Sequence, residues 1–263
     1  MSYWKERSVP YGPGQTAAFK VSRSKIELFM QCQRCFWLDV RLKIKRPDSP
    51  PFNINNAIDE LFKKEFDTYR AKGEPHPIMT EYKVQAIPFA HEKLNDWREN
   101  FVGVQYKHEP TNLMVFGAVD DLWVDKDGNV IVVDYKATAK DREVNINSGW
   151  QISYKRQMEV YQWLLRHNGL TVHPTGYFVY ANGRTDLDGF FNKIEFRTKV
   201  IPYTGDDSWV EGTLLKMKKC MDGDIPAVGE SIMGGECGFC SYARERTKLT
   251  LQHLNSKQRK RVI

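Results

Sequence analysis

Between Val115 and Thr138 the chain reads VFGAVDDLWVDKDGNVIVVDYKAT, and no other stretch restricts the fold as strongly. β-Branched and aromatic residues dominate both halves. Asp127-Gly128 lies between them, the pair most favoured for a two-residue hairpin because Gly tolerates positive φ. The pattern predicts a first strand from Met114 to Val124 and a second from Asn129 to Ala137. The first carries Gly117-Ala118-Val119-Asp120, and the second ends in Asp134-Tyr135-Lys136. Two carboxylates and a lysine on adjacent strands suit a hard divalent cation with a cationic side chain beside it. Mg²⁺ takes oxygen ligands, often one or two carboxylates with phosphate and water. Asp121 is expected on the opposite face from Asp120, because strand side chains alternate, and to be solvated or ion-paired there.

Around this hairpin the chain alternates helical and extended patterns. Ser22 or Ser24 can cap a helix running to about Leu42, with Ile26, Phe29, Met30 and Phe36 or Trp37 as its apolar side. A second helix, Asn53 to Arg70, repeats Ile54, Ile58, Leu61, Phe62, Phe66 and Tyr69 at helical spacing, and Gly73 and Pro75 end it. Residues 88–100 read as helical and lead to a strand near Val102–His108. After the hairpin come a polar loop at Lys140–Gly149 and a helix from Trp150 to His167. Strands near Thr175–Tyr180 and Phe190–Val200 follow, then a helix from Ser208 to Met221. Cys237-Gly238-Phe239-Cys240 is the last ordered feature expected. The order predicts an α/β fold, a mixed sheet flanked by helices with helical additions at both ends. Residues 1–18 read as a flexible arm, 19–240 as one domain including the terminal cysteine motifs, and 241–263 as a basic tail.

The chain has 263 residues, enough for a substantial core, and 41% hydrophobic and 27% charged content, as in a soluble globular protein. No apolar run approaches the ~20 residues that span a bilayer. No compact apolar segment follows basic residues at the N-terminus, so a cytoplasmic location is expected rather than secretion. The net charge of +6 is carried by Arg244–Ile263, with seven basic residues against one acid. Such a tail suits phosphate contact or a solvated terminus. The five cysteines are an odd count, which does not suggest a disulfide framework. Cys32-Gln33-Arg34-Cys35 and Cys237-Gly238-Phe239-Cys240 instead offer four thiolates, which suit an iron–sulfur cluster or tetrahedral Zn²⁺. Cys220 is expected to be unliganded.

Three short motifs occur in order: Gly117-Ala118-Val119-Asp120, Asp134-Tyr135-Lys136, and Gln157-Met158-Glu159-Val160-Tyr161. In this order the chain resembles the PD-(D/E)XK nuclease superfamily, and within it the RecB-like branch. The resemblance implies a restriction-endonuclease-like sheet and a Mg²⁺- or Mn²⁺-dependent deoxyribonuclease, most often an exonuclease or one directed to single strands and ends. It implies that Asp120 and Asp134 ligate the metal, that the Tyr135 carbonyl adds a ligand, and that Lys136 positions or activates the attacking water. Gln157 and Tyr161, four apart on one helix face, would line the substrate channel. Where the family commonly has a histidine on the preceding helix, this chain has Asp59. That residue is either a substitute ligand or an acid in the helix's N-terminal turn.

The cysteine arrangement is similar to that of AddB-type and CRISPR-associated exonuclease domains, which staple their termini with a [4Fe–4S] cluster. Those use one cysteine before the core and three after it. Here the final one is missing and Cys35 supplies a fourth thiolate. Expected partners are DNA and a separate helicase or recombination protein, with no membrane. A catalytically inactive nucleic-acid-binding module on the same fold is the alternative reading.

Overall fold

The structure, a computed structural model, describes residues 9–50, 52–229 and 234–259, with side chains described as far as Leu254. The first eight residues of the expected arm and the basic residues Lys260 and Arg261 lie outside the described residues. The chain divides into two compact units. One comprises Ala18–Ser24 and Ser49–Gly212; the other comprises the described parts of Met1–Ala17, Lys25–Asp48 and Thr213–Ile263.

The larger unit is built on two sheets. The first joins β1 (Phe19–Ser22), β4 (Leu113–Gly117) and β3 (Val104–His108) in the order β1-β4-β3, with β1 and β4 parallel. The second has five strands in the order β2-β5-β6-β7-β8. They are β2 (Ala86–Pro88), β5 (Asp121–Asp125), β6 (Val130–Thr138), β7 (Thr175–Gly183) and β8 (Phe196–Thr204). β6 and β7 are parallel and the other pairs antiparallel, so the sheet is mixed as the pattern predicts. The run Val130-Ile131-Val132-Val133 is buried on both faces, which is why β6 reads as a continuous apolar run instead of alternating.

Helix α3 (Asn53–Lys72) covers one face of this sheet. Phe66 and Phe62 pack against Trp123, Ile131, Val133, Tyr135 and Val179. Phe66 stacks on Trp123 at 5.5 Å and Phe62 on Tyr135 at 4.9 Å. A short helix, α4 (Pro77–Glu81), adds Ile78 and Met79 to that core. Helix α6 (Ile152–His167) follows a 3-10 turn at Gly149–Gln151 and packs on β3, β4 and β6, burying Met158, Leu164 and Leu165 completely.

Several boundaries differ from expectation. The predicted strand Met114–Val124 is two strands in different sheets, with Ala118–Asp120 crossing between them. There the Val119 N–H leaves the ladder and donates to the Trp97 carbonyl at 3.0 Å. The hairpin loop has three residues, Lys126-Asp127-Gly128, closed by Asp125 N–H to the Asn129 carbonyl at 3.1 Å. Gly128 sits at φ +83°, and the Asp125 carboxylate accepts from the Asp127 and Asn129 amides at 2.9 Å. Residues 88–100 are mostly not helical; α5 spans only Leu94–Arg98. β8 starts at Phe196 because Phe191 and Asn192 take left-handed backbone angles, φ +42° and +58°, that no strand accommodates.

In the smaller unit the predicted single helix to Leu42 is broken. Helix α1 (Arg23–Gln31), most of which belongs to this unit, stops at Cys32, whose φ of −164° and ψ of 108° are extended. Helix α2 (Gln33–Leu42) restarts there. Phe29 and Phe36 meet edge to face at 5.3 Å across the break. Residues 9–17 form no helix or strand, yet Tyr11 is buried, and its hydroxyl donates to Asp222 at 2.6 Å. Helix α7 (Trp209–Asp222) buries Leu214, Met217 and Met221. Beyond the last cysteine pair the chain continues as a 22-residue helix, α8 (Gly238–Arg259), where no element was expected.

Candidate active site

Alternation along β6 sends Tyr135 to the α3 face and Asp134 and Lys136 to the opposite face. Tyr135 accordingly stacks on Phe62, and its hydroxyl donates to Asp121 at 2.7 Å. Asp134 is completely buried. Its Oδ2 forms an ion pair with Lys136 Nζ, while its Oδ1 has no hydrogen-bond partner among the described residues. Asp120, at the crossing between the sheets, accepts the Tyr135 backbone N–H at 2.9 Å and so lies against the Asp134–Lys136 segment. Burial, reinforced by the nearby Asp134 charge, pushes the Asp120 carboxyl up to about 7. Burial opposes the Lys136 ammonium, but Asp134 and Asp120 outweigh it and raise this lysine above its ordinary range.

Asp59 projects toward the same acids from α3. Burial, then the Asp120 charge, raises its carboxyl. Oδ2 accepts from Lys63 at 2.7 Å, and the buried Oδ1 has no partner among the described residues. It lies beyond the first turn of α3, which contains no acid, so the reading as an N-terminal-turn acid is not met. On α6, Gln157 and Tyr161 are both buried, and the Gln157 amide donates to the Tyr161 hydroxyl at 3.1 Å. Gly117 makes room for that tyrosine: a Cβ there would come within 2.7 Å of its ring. The structure thus gathers Asp59, Asp120, Asp134, Lys136, Gln157 and Tyr161 in one unit, as the motif order implies.

Asp59 and Asp134 each pair one oxygen with a lysine and bury another that has no hydrogen-bond partner among the described residues, a lack that a hard divalent cation would satisfy. The residues therefore fit such an ion. They do not form a closed cage, because the three carboxylates do not converge as tightly as the thiols described below. That openness suits an ion that keeps water and substrate among its ligands.

Asp121, adjacent to Asp120, has a different role. It is fully buried and takes hydrogen bonds from Arg70 at 2.6 Å and Arg98 at 2.5 Å as well as from Tyr135. The expectation of an ion-paired residue holds.

Two further residues at the site escaped the sequence reading. Tyr154 lies under Lys136, whose Nζ is 4.8 Å from its ring centroid. Its signal was present: Tyr154, Gln157 and Tyr161 recur at i, i+3 and i+7 on α6. Lys63 had a similar signal, four residues after Asp59.

In the smaller unit, Cys32, Cys35, Cys237 and Cys240 converge with their sulfurs all within 4.8 Å, the only such group of His, Cys, Asp or Glu ligand atoms among the described residues. Cys35 Sγ lies 3.8 Å from Cys237 and 3.6 Å from Cys240, and Cys32 lies 3.7 Å from Cys240. The extended Cys32 caps α2 through its sulfur, which accepts the Cys35 N–H at 3.4 Å. Burial works against the Cys32 thiolate, but hydrogen bonds from Cys35 and Gly229 outweigh it and bring the thiol down to about 7. Arg46 donates to Cys237 Sγ at 3.5 Å and lies over the Phe239 ring. Four sulfurs at these separations can hold a metal ion. Cys220 lies outside the group, and burial pushes its thiol up to about 11.

The family described as the PD-(D/E)XK nuclease superfamily matches residues 53–244. No curated protein matches the chain. Among solved structures, one described as "Crystal structure of SSO0001" is similar at 15% identity, covering 77% of this chain and 74% of its own, with a TM-score of 0.34.

Proposed function

The chain belongs to the PD-(D/E)XK nuclease superfamily, and from that premise we propose that it is a metal-dependent deoxyribonuclease of the RecB-like branch, cleaving phosphodiester bonds in single strands or at ends. The observation that carries the reading is Asp134, fully buried, with an oxygen unpartnered among the described residues and ion-paired to a lysine two residues along the same strand face. Nucleic-acid binding alone calls for no such arrangement, which weighs against an inactive binding module. The RecB-like assignment is supported by the three motifs in order, ending in the hydrogen-bonded Gln157–Tyr161 pair.

On this reading Asp120, Asp134 and the Tyr135 carbonyl would hold Mg²⁺ or Mn²⁺, with Asp59 in place of the family histidine. Such an ion, when bound, supplies Lewis acidity toward a phosphate oxygen and a lowered pKa for a water. Lys136, held protonated by its two acids, orients the attacking water or offsets charge developing on the phosphate. Gln157 and Tyr161 line the substrate path. DNA is the partner, with a separate helicase or recombination protein where strands must first be parted.

For the thiols, zinc is favoured over an iron–sulfur cluster. Zn–S bonds of ~2.3 Å in a tetrahedron set the sulfurs about 3.8 Å apart, close to the 3.6–3.8 Å separations found here. A cluster that gives each cysteine its own iron would hold the thiolates further apart. Arg46 offsets part of the excess negative charge of four thiolates on one divalent ion.

The test is digestion of labelled single- and double-stranded DNA with Mg²⁺ or Mn²⁺, using the wild type and Asp134→Asn. Cleavage by the wild type that is lost in the variant is expected. Wild-type protein that cleaves neither substrate with either metal would overturn the reading.

A further inference from the structure

Lys136 leads outward. Its ammonium lies 4.8 Å from the Tyr154 ring centroid, and Tyr154 meets Trp150 edge to face at 5.4 Å and 79°. Lys140 Nζ in turn lies 5.3 Å over the Trp150 ring. Two adjoining rings, with a lysine at each end, therefore lead from the acid cluster to solvent, where Trp150 is 43% exposed. All of these residues belong to the larger unit.

The outer end of this series is held in place. Trp150 sits in the 3-10 turn Gly149–Gln151. Gln151, completely buried, accepts the Ser148 N–H at 2.9 Å and donates to the Asn145 carbonyl at 2.7 Å. Lys140 is clamped by the buried Asn182, which accepts its backbone N–H at 2.8 Å and donates to its carbonyl at 3.0 Å. A large ring kept partly in water on a rigid turn, under a lysine, is poorly explained by core packing.

We propose that Trp150 and Tyr154, with Lys140, form a stacking platform for the bases of a single-stranded DNA threading to the Asp120–Asp134–Lys136 cluster. Every base offers a π-face, so an aromatic platform binds without reading sequence, while lysines beside the rings meet the backbone phosphates. Interior bases of a duplex have no free face, so the platform selects single strands. This deepens the nuclease reading and rests on it for the identity of the inner cluster.

The test measures binding of the full chain, without added Mg²⁺ or Mn²⁺, to a fluorescent oligothymidine. A strand of equal length with abasic sites at its centre is the second probe. Trp150→Ala should weaken oligothymidine binding about tenfold, within the scale of one base–aromatic stack, and change abasic-strand binding less than twofold. Trp150→Leu, which keeps an apolar side chain for folding, should behave like the alanine variant. Trp150→Phe should retain most of the affinity. Equal losses on both strands, or no loss on either, would overturn the platform.

Wild-type cleavage assays separate the two readings. A chain that binds oligothymidine through Trp150 but cleaves nothing keeps the platform and loses the nuclease. A chain that cleaves while Trp150→Ala binds oligothymidine normally keeps the nuclease and loses the platform.

Discussion

The carboxylate cluster and the thiol cluster are both sets of acidic side chains suited to a metal, but they are built to opposite plans. The thiols are four soft, buried donors with their sulfurs within 4.8 Å of one another, enough to fill a tetrahedral site. The carboxylates are hard donors, less tightly gathered, with oxygens unpartnered among the described residues and a lysine alongside. A closed tetrahedral set is the signature of a structural metal, and an open set that of a catalytic one. If this contrast is sound, disturbing the two clusters should affect different properties.

The largest effect is expected at the thiols. Cys35→Ser, or removal of the metal by a chelator, should release one equivalent of zinc and lower Tm by ~20 °C or more. Structural zinc contributes ~10 kcal/mol or more to folding in small domains, and each kcal/mol shifts Tm by about 2–4 °C at this size. Cleavage per folded molecule should change little. Metal analysis with a thermal melt checks this, and a metal-free preparation of undiminished Tm would remove the structural half of the comparison.

The carboxylate cluster should respond in the other direction. Asp134→Asn is expected to cost ~10³-fold or more in cleavage rate. Its Tm should fall less than that of Lys136→Ala, because losing the like charge beside Asp120 offsets part of the ion pair taken from Lys136. Lys136→Ala should match the loss of rate and also lower stability, since it leaves Asp134 buried without its cation. If Asp134→Asn lowered Tm sharply while the protein that remained folded cleaved at the wild-type rate, the cluster would be structural after all.

Asp121 sharpens the comparison because it adjoins Asp120 yet belongs with neither cluster. Its carboxylate is held by Arg70, Arg98 and Tyr135 in the interior. Asp121→Ala should destabilise by about 3 kcal/mol, because it takes the buried partner from both arginines and leaves them only the half-exposed Asp67. Denaturant unfolding measures this, and metal dependence at the neighbouring site should be unchanged.

The sequence showed the catalytic chemistry more plainly than the backbone that carries it. The acids, the lysine and the Gln157–Tyr161 pair lie within short local patterns, so spacing alone was informative. The break after Gly117 was hidden because Leu113–Val119 is apolar throughout. What interrupts it is tertiary: the Tyr161 ring beside Gly117 and the Trp97 carbonyl that takes the Val119 N–H. The stop at Cys32 was equally invisible, since it depends on thiols some two hundred residues downstream. Helix α8 was missed for a different reason. Its basic residues drew attention to charge, although Ala243, Leu249, Leu251 and Leu254 among Arg, Lys and Gln are good helix formers.

Asp59 gives the smallest expected effect and tests the openness of the carboxylate site most directly. Its Oδ2 is taken by Lys63 and its Oδ1 is buried without a partner among the described residues, so it could serve either the lysine or a metal. The two roles predict different pairs of phenotypes. If Asp59 only neutralises Lys63, then Asp59→Ala and Lys63→Met each remove one half of an ion pair and should leave the metal requirement alone. If Asp59 is a ligand, Asp59→Ala should raise the half-maximal Mg²⁺ or Mn²⁺ concentration about 10- to 100-fold, the range typical of lost support at a metal site. Lys63→Met should not reproduce that shift. Asp59→His should recover part of the affinity, favouring Mn²⁺ over Mg²⁺ because imidazole is the softer donor. A metal titration of the three variants decides it: coincident curves for Asp59→Ala and wild type would return Asp59 to its lysine and leave the site with two carboxylates.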